Sequence, residues 1–252
     1  MRKFILLDAN VVVAYYLPRA TNSSKTSKLS REIIESVRSK ATDNFFYIPN
    51  FCVAEVFSAF YKHAYSRWNL HVKKHGPIDK RVLNTVRNQF RNDIHNASLF
   101  YHYELSRYHV ITVDLISPIN HYYKMGRKAK GKKHSSPAST FDQLIISMGM
   151  HLVKIHGLDN VAIMTTDDRI EKIVNKCKTV IGSKVHKKLK LDEPSKFIGI
   201  PFTPDSFPKI INLKNVSVEE LKSFFGMWPL PERKYAVPKF LKSKSKHLNH
   251  AS

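Results

Sequence analysis

Carboxylates stand at the ends of two apolar runs of this sequence. Asp8 follows the run 4–7, and Asp167 and Asp168 follow the run that starts at Val161. Short uninterrupted apolar runs are typical of strands that are buried on both faces of a parallel sheet. Ligands of open α/β sheets bind just outside the carboxyl ends of such strands. These acids are therefore candidates for a functional site.

Two predicted helices add one acid each. Glu55 lies inside the apolar run 51–60, where a lone carboxylate is costly unless it is paired or bound to a cation. Asp142 follows Ser139 at the spacing of a helix capping box, and this structural role alone could explain it.

Structural roles are open for the other acids as well. Asp8 could serve only as the N-cap of the helix that follows it. Asp168 forms a second capping-box pattern with Thr165, so we interpret Asp168 as structural. Asp167 is not needed for that cap and is retained as the candidate for chemistry.

A cluster of such carboxylates needs a cation. Like charges held together raise one another's pKa and destabilise the fold unless they are neutralised. Oxygen ligands without Cys or His favour Mg²⁺ or Mn²⁺. These ions catalyse phosphodiester hydrolysis by polarising the phosphate and lowering the pKa of the attacking water.

The charge of the chain favours the same substrate class. Its 252 residues include 42 Lys and Arg against 20 Asp and Glu, a net charge of +22. Such an excess argues against an ordinary small-molecule enzyme and favours a polyanionic partner such as nucleic acid. The hydrophobic fraction of 42% supports a folded core rather than a disordered chain.

Cysteine content and hydropathy predict the cellular setting. Cys52 and Cys177 are too few for a disulfide framework or a Cys-rich zinc site, and they fit a reducing compartment. The apolar N-terminal stretch is interrupted by Asp8 and Asn10, and no cleavage site of a signal peptide follows it. No stretch approaches the roughly 18 apolar residues of a membrane span. We expect a soluble, cytoplasmic protein without a membrane partner.

Strand and helix patterns alternate along the chain. Strands are predicted over 4–7, 44–48, 109–113, 161–164 and 196–200, with helical patterns between them, including most of 78–107. This alternation predicts an α/β fold, a three-layer α/β/α sandwich around a mainly parallel sheet. We assign residues 1–210 to one domain with a basic helical insertion at about 62–137. Residues 211–252 form a C-terminal extension that ends in a basic tail, predicted to be disordered.

Four motifs, in order, resemble the PIN-domain nuclease family, the VapC-like metal-dependent ribonucleases. They lie in the segments 6–10, 48–55, 141–145 and 164–170, and a proline-containing segment follows at 202–207. The resemblance covers roughly residues 3–62 and 138–208. The long stretch between Glu55 and Asp142 departs from the compact PIN toxins, which puts a toxin role in doubt but not the nuclease chemistry.

The resemblance implies an endoribonuclease, either a toxin of a toxin–antitoxin pair or an RNA-processing enzyme. It also implies a set of catalytic metal ligands for Mg²⁺ or Mn²⁺, namely Asp8, Glu55, Asp142 and Asp167. Asn10 and Thr165 are expected to support these ligands by hydrogen bonding.

The partners expected are RNA and single-stranded DNA, with an antitoxin protein or a second copy of the chain as further candidates. A lysine-rich loop predicted over 126–138 precedes the helix of Asp142, and its cations are candidates for phosphate binding: Arg127, Lys128, Lys130, Lys132 and Lys133. A solvated linker remains the alternative for this loop. The alternative for the whole protein is a non-catalytic nucleic-acid-binding protein on a PIN-like scaffold, because residues 62–137 are basic and rich in tyrosine.

Overall fold

A parallel sheet forms the centre of the protein. The computed structural model describes residues 2–17, 24–69, 80–95, 97–129 and 137–231. Five strands in these ranges pair in the order β3-β2-β1-β4-β5, and every pairing is parallel. The strands are β1 (Phe4–Leu7), β2 (Phe45–Pro49), β3 (Phe100–Tyr103), β4 (Val161–Thr165) and β5 (Lys209–Asn212).

Helices cover both faces of the sheet. The helices described are α1 (Ala9–Tyr16), α2 (Ser24–Arg38), α3 (Asn50–Asn69), α4 (Lys80–His95), α5 (Arg107–Ala129), α6 (Thr140–His156), α7 (Asp168–Val180), α8 (Lys184–Lys188), α9 (Asp192–Ile198) and α10 (Val218–Phe225). Helix α1 packs against α2 and α3, whereas α5 packs against α6, α7 and α9. Crossovers between parallel strands are right-handed, so the reversal of strand order after β3 moves the later helices to the other face. The predicted α/β/α fold class is confirmed.

The two central strands lie at the centre of the core. Ile5, Leu6 and Leu7 of β1 have no exposed surface, and neither do Ile163 and Met164 of β4. Strands buried on both faces have the continuous apolar sequence from which β1 and β4 were predicted. Only polar residues at their ends can then reach solvent or a ligand.

The third strand was predicted at the wrong place. Residues 109–113 lie inside α5, where His109 and Thr112 are buried and Val110 between them is exposed, as helical periodicity requires. A short apolar run does not by itself distinguish a strand from a helix. The true strand, β3, lies in the region predicted to be a mostly helical insertion, and it is an edge strand with two exposed polar or aromatic residues, Tyr101 and His102.

The fifth strand was also misplaced. Residues 196–200 include the end of α9, which stops at Gly199 in the left-handed conformation that glycine favours at helix ends. The strand is β5, and it begins at Lys209. The predicted loop 126–138 begins within α5, which continues to Ala129.

Several predicted segments fall outside the described residues. Lys130, Lys132 and Lys133 belong to this group, as does the basic tail after residue 231, and the side chains of Arg127 and Lys128 are likewise not described. Among the described residues, no helix has both the length and the apolar character needed to cross a bilayer.

Helix α6 approaches the sheet closely at Gly149, which generates a stability prediction. A Cβ atom at this position would lie 2.8 Å from Ile163 Cδ1 and 2.8 Å from Pro208 Cγ. Ile163 is fully buried and the proline ring is rigid, so neither can move away cheaply. We expect Gly149→Ala to lower the free energy of unfolding by about 2 kcal/mol in urea denaturation. Helix propensity alone would raise stability by about 1 kcal/mol, so a stabilised variant would contradict this packing.

Candidate functional site

The candidate site lies where the strand order reverses. The chain adds β2 and β3 on one side of β1 and then returns to place β4 on the other side. The carboxyl ends of β1 and β4 are therefore neighbours, and the Asp8 amide donates to the Met164 carbonyl at 3.0 Å. Such switch points are the ligand-binding crevices of open α/β sheets.

Asp8 is held at this point by two side-chain donors. Its Oδ2 accepts a hydrogen bond from Thr165 Oγ1 at 2.7 Å and another from Asn10 Nδ2 at 3.3 Å. The residue is only 5% exposed. Asp8 occupies the N-cap position of α1, but its side chain makes no capping hydrogen bond. The side-chain capping role that the sequence left open for this carboxylate is therefore absent.

Glu55 reaches the same point from α3. Ligating atoms of Asp8, Glu55 and Cys52 all lie within 4.8 Å of one another. Glu55 is more exposed than Cys52 and Val56, which are buried on the same helix. Part of the expected desolvation is still present, because burial raises the pKa of Glu55. Residues that are adjacent in sequence point to different faces of a helix, so Glu55 lies on the solvent side of α3 although its sequence neighbours are apolar.

Cys52 is a member of this cluster that sequence reasoning missed. Burial, and then the charges of Asp8 and Glu55, raise the pKa of its thiol well above the ordinary value. The thiol therefore stays protonated and hydrogen-bonds to Glu55. The donor set for a cation consists of carboxylate oxygens.

Asp142 approaches from α6 and has two roles. The predicted capping box is confirmed: Ser139 N donates to Asp142 Oδ2 at 2.6 Å, and Asp142 N donates to Ser139 Oγ at 3.1 Å. The carboxylate is buried, and its negative charge raises the pKa of Asp8 and of Glu55. The cap fixes the position of this charge beside the other two acids.

The second predicted capping box is wrong. Asp167, not Thr165, is the N-cap of α7, and its Oδ1 accepts from Arg169 N at 2.8 Å. Thr165 Oγ1 accepts from Asp167 N at 2.9 Å while it donates to Asp8. Asp168 instead accepts from Asn212 Nδ2 at 2.9 Å, so its role is structural by a different contact. One threonine thus links the two carboxylates that follow β1 and β4.

Arg169 is the second residue that sequence reasoning missed. Its Nε lies 2.9 and 3.0 Å from the two carboxylate oxygens of Asp167, and its Nη2 also bonds Asp167 and lies 3.7 Å from Asp142 Oδ2. A cation in the first turn of a helix is disfavoured by the helix dipole. That position, directly after two acids, was the signal that could have indicated its role.

Arg169 neutralises Asp167, whereas the charges of Asp8 and Glu55 lack such a counter-ion in the described structure. Burial raises the pKa of Asp8 to about 6 despite the bonds from Thr165 and Asn10, and nearby acids add to the shift. Burial also raises the pKa of Glu55. Burial opposes ionisation of Asp167 too, but the bonds and charge of Arg169 hold its pKa below the usual value. The pair Asp8 and Glu55 is therefore where an added cation would stabilise most.

The residues present fit a hard divalent cation. Asp8 and Glu55 could bind it directly, and Asp142 is close enough to act on both carboxylates. Sites made of carboxylate oxygens suit Mg²⁺ and Mn²⁺, whereas a protonated thiol is a poor ligand for either. Asp167 is instead paired with Arg169 and lies beside the cluster of Asp8, Cys52 and Glu55.

Comparisons with known proteins found a distant structural neighbour. No protein-family model matches the sequence, and no curated protein matches it. Among solved structures, the chain is similar to VapBC2 from Rickettsia felis bound to a DNA fragment from their promoter. The identity is 13%, the match covers 68% of this chain and 92% of that chain, and the TM-score is 0.37. A similarity of this size supports no conclusion about function.

The raised pKa of Asp8 predicts how stability depends on pH without metal. Its folded value of about 6 lies above the ordinary 3.8, so the folded chain binds this proton more tightly than the unfolded chain does. Protonation therefore stabilises the fold at low pH, and this contribution, about 3 kcal/mol, is lost as pH rises through the window from about 4 to 6. In EDTA, we expect Asp8→Asn to be more stable than the wild type near neutral pH and to lose this advantage towards pH 4. Urea denaturation across this range is the measurement, and parallel curves for the two proteins would contradict it.

Proposed function

We propose that this protein is a metal-dependent nuclease that hydrolyses RNA at the carboxyl ends of β1 and β4. One observation carries the proposal: Asp8 and Glu55, with their charges unbalanced, lie within 4.8 Å of each other at the switch point of the sheet. The net charge of +22 supports a polyanionic substrate for this acidic site. The order of the sequence motifs, which resembles the PIN-domain nucleases, supports the same reaction.

The residues of the chain would divide the work as follows. Asp8, Glu55 and Asp142 would hold Mg²⁺ or Mn²⁺, with Asp167 at the edge of the site. The bound ion would polarise the scissile phosphate and lower the pKa of the attacking water. Thr165 and Asn10 would keep the Asp8 carboxylate oriented, because both donate to the same oxygen.

Arg169 would bind different groups in the metal-free and the metal-bound site. Without metal, its guanidinium neutralises Asp167 and lies beside Asp142. A guanidinium also matches the geometry of a phosphate, so an Arg169 released by metal binding could hold a phosphate oxygen of the substrate.

A non-catalytic nucleic-acid-binding protein is the second candidate function. The observation that favours it is the pairing of Arg169 with Asp142 and Asp167. This arginine already supplies an internal cation to two of the four acids. In that case the acids would form a structural ion-pair network, and the protein would bind RNA without cutting it. Binding of Mn²⁺ distinguishes the two functions.

Cleavage tests the proposed ligands. Asp8→Asn and Asp142→Asn should each reduce cleavage of labelled RNA in Mg²⁺ or Mn²⁺ by at least about 100-fold, because a lost ligand removes charge and water activation together. Asp168→Asn is the matched control, since this acid hydrogen-bonds Asn212 instead. It should retain activity within a few-fold of the wild type. Circular dichroism confirms that each variant is folded. Full activity in Asp8→Asn would refute the assignment, and so would an equal loss in Asp168→Asn.

Metal affinity tests the competition with Arg169. Arg169→Gln removes a cation 3.7 Å from Asp142, so Mn²⁺ should bind about five-fold more tightly in isothermal titration calorimetry, equivalent to ~1 kcal/mol for a partly exposed pair. Lys172→Gln is the control, because it removes the same charge from the same helix one turn away. An equal gain in both variants would show a general field effect rather than direct competition. Absence of Mn²⁺ binding in every protein would favour the non-catalytic function.

A further inference from the structure

A second basic feature begins at the acidic site. Seven lysines and no acid lie between Glu171 and Asp192, a segment that includes most of α7 and all of α8. The two acids that precede it on α7 are turned to β5, because Asp168 and Glu171 both accept from Asn212 Nδ2, at 2.9 and 3.0 Å. The positive charge of this segment is therefore not cancelled by those two neighbours.

Two of these lysines form one stripe along α7 together with Arg169. Arg169, Lys172 and Lys176 have the i, i+3, i+7 spacing that places side chains on one face of a helix. The buried residues of α7, among them Ile173 and Cys177, lie on another face. At about 1.5 Å per residue the stripe extends roughly 10 Å from Arg169 to Lys176. It therefore leads away from the acids that Arg169 contacts.

Two tyrosines of α5 lie at the far end of this stripe. The Lys176 ammonium lies 5.3 Å from the ring centre of Tyr123, and the Lys188 ammonium lies 5.6 Å from that of Tyr122. The two rings are half-buried and almost perpendicular to each other, with centres 5.6 Å apart. Lysines on α7 and α8 thus converge on adjacent aromatic rings.

Helix α5 is fastened to the acidic site near these tyrosines. Asn120 Nδ2 donates to the Ala138 carbonyl at 2.9 Å, and Asn120 Oδ1 accepts from Ala138 N at 3.3 Å. Ala138 precedes Ser139, which caps the helix of Asp142. This double hydrogen bond places the tyrosines at a set position relative to Asp142.

We infer that Lys172, Lys176 and Lys188, with Tyr122 and Tyr123, form a track that holds a single-stranded RNA as it leaves the acidic site. The inference rests on the proposed function, because the RNA is taken to run from the cleavage site along the track. The binding itself does not require cleavage. Lysines neutralise phosphates without regard to sequence, and tyrosine rings stack on unpaired bases. On binding, each ammonium would move from its ring to a phosphate and leave the ring face to a base. An acidic peptide or an anionic membrane would use the lysines but would have no such use for the rings.

Salt dependence tests the lysines. The probe is a fluorescein-labelled 12-residue oligouridine in EDTA, so that no metal-dependent cleavage occurs and binding is measured alone. Changing Lys172, Lys176 and Lys188 together to Gln should reduce the magnitude of the negative slope of log K against log salt concentration by about 2, which is roughly 0.7 for each lost contact to a single strand. The matched control changes Lys40, Lys154 and Lys222 to Gln.

The control lysines are exposed and lie near the amino ends of the strands, away from the acidic site. Lys40 and Lys154 precede β2 and β4, and Lys222 belongs to α10, whose Phe224 lies beneath Lys3 and Lys209 at the starts of β1 and β5. The control triple removes the same charge and should leave the slope nearly unchanged. Equal decreases in both triples would overturn the track, because they would show only the effect of net charge.

Base stacking tests the tyrosines. Changing Tyr122 and Tyr123 together to Leu should weaken oligouridine binding by roughly tenfold or more, whereas the double change to Phe keeps the rings and should bind within about two-fold of the wild type. The Phe pair also controls for folding, and thermal denaturation of the Leu pair confirms that it is folded. A duplex DNA of equal length should bind the Leu pair and the wild type alike, since its bases are not available for stacking.

The outcomes separate this inference from the proposed nuclease activity. A reduced slope and a loss in the Leu pair support the track even if Mg²⁺ and Mn²⁺ produce no cleavage. Cleavage by the wild type with unchanged binding in both the Lys and the Leu variants would overturn the track and leave the nuclease proposal intact. Anionic vesicles that bind through the same lysines, without any effect of the Leu pair on oligouridine, would overturn it in favour of a membrane surface.

Discussion

The hydrogen bond from Thr165 to Asp8 is the contact on which the rest of the site depends. It joins the residues at the carboxyl ends of the two central strands, where the strand order reverses. The same threonine oxygen accepts from the Asp167 amide, so the start of α7 is positioned relative to Asp8. Because β4 and all of β1 after Phe4 are buried, this end is where polar groups of the two strands can meet a ligand.

The cost of holding Asp8 there explains the surrounding groups. A buried carboxylate beside two other acids resists ionisation, as its raised pKa shows. Thr165 and Asn10 offset part of this cost by donating to it, and Arg169 neutralises Asp167 on the other side. What remains unbalanced is the charge of Asp8 and Glu55. A divalent cation would complete this arrangement without further rearrangement of the strands, whereas the guanidinium completes only the half that faces α7.

The sequence predicted the strands that are uninterrupted apolar runs. It missed the strand whose residues are partly exposed. β1 and β4 are uninterrupted apolar runs, so they and the acids after them were found. β3 is an edge strand whose Tyr101 and His102 are exposed, and it therefore lacks that signal. Residues 109–113 have a strand-like composition but a helical pattern of burial. Cys52 and Arg169 could not be assigned from type or spacing, because a thiol becomes part of the cluster, and an arginine bridges two acids, only once three separate helices converge.

Arg169 also connects the acidic site to the basic surface beside it. It is the first residue of the cationic stripe on α7 and at the same time the counter-ion of Asp167. A protein with opposite charges this close would lose its site to internal ion pairing if every cation could reach the acids. Lys172 and Lys176 lie about 4.5 and 10 Å farther along α7, so Arg169 is the nearest of the three to the acids. Arg169 is therefore placed to exchange between the acids of the chain and the phosphates of a bound strand, and a cation that displaces it would strengthen the basic track as it fills the acidic site.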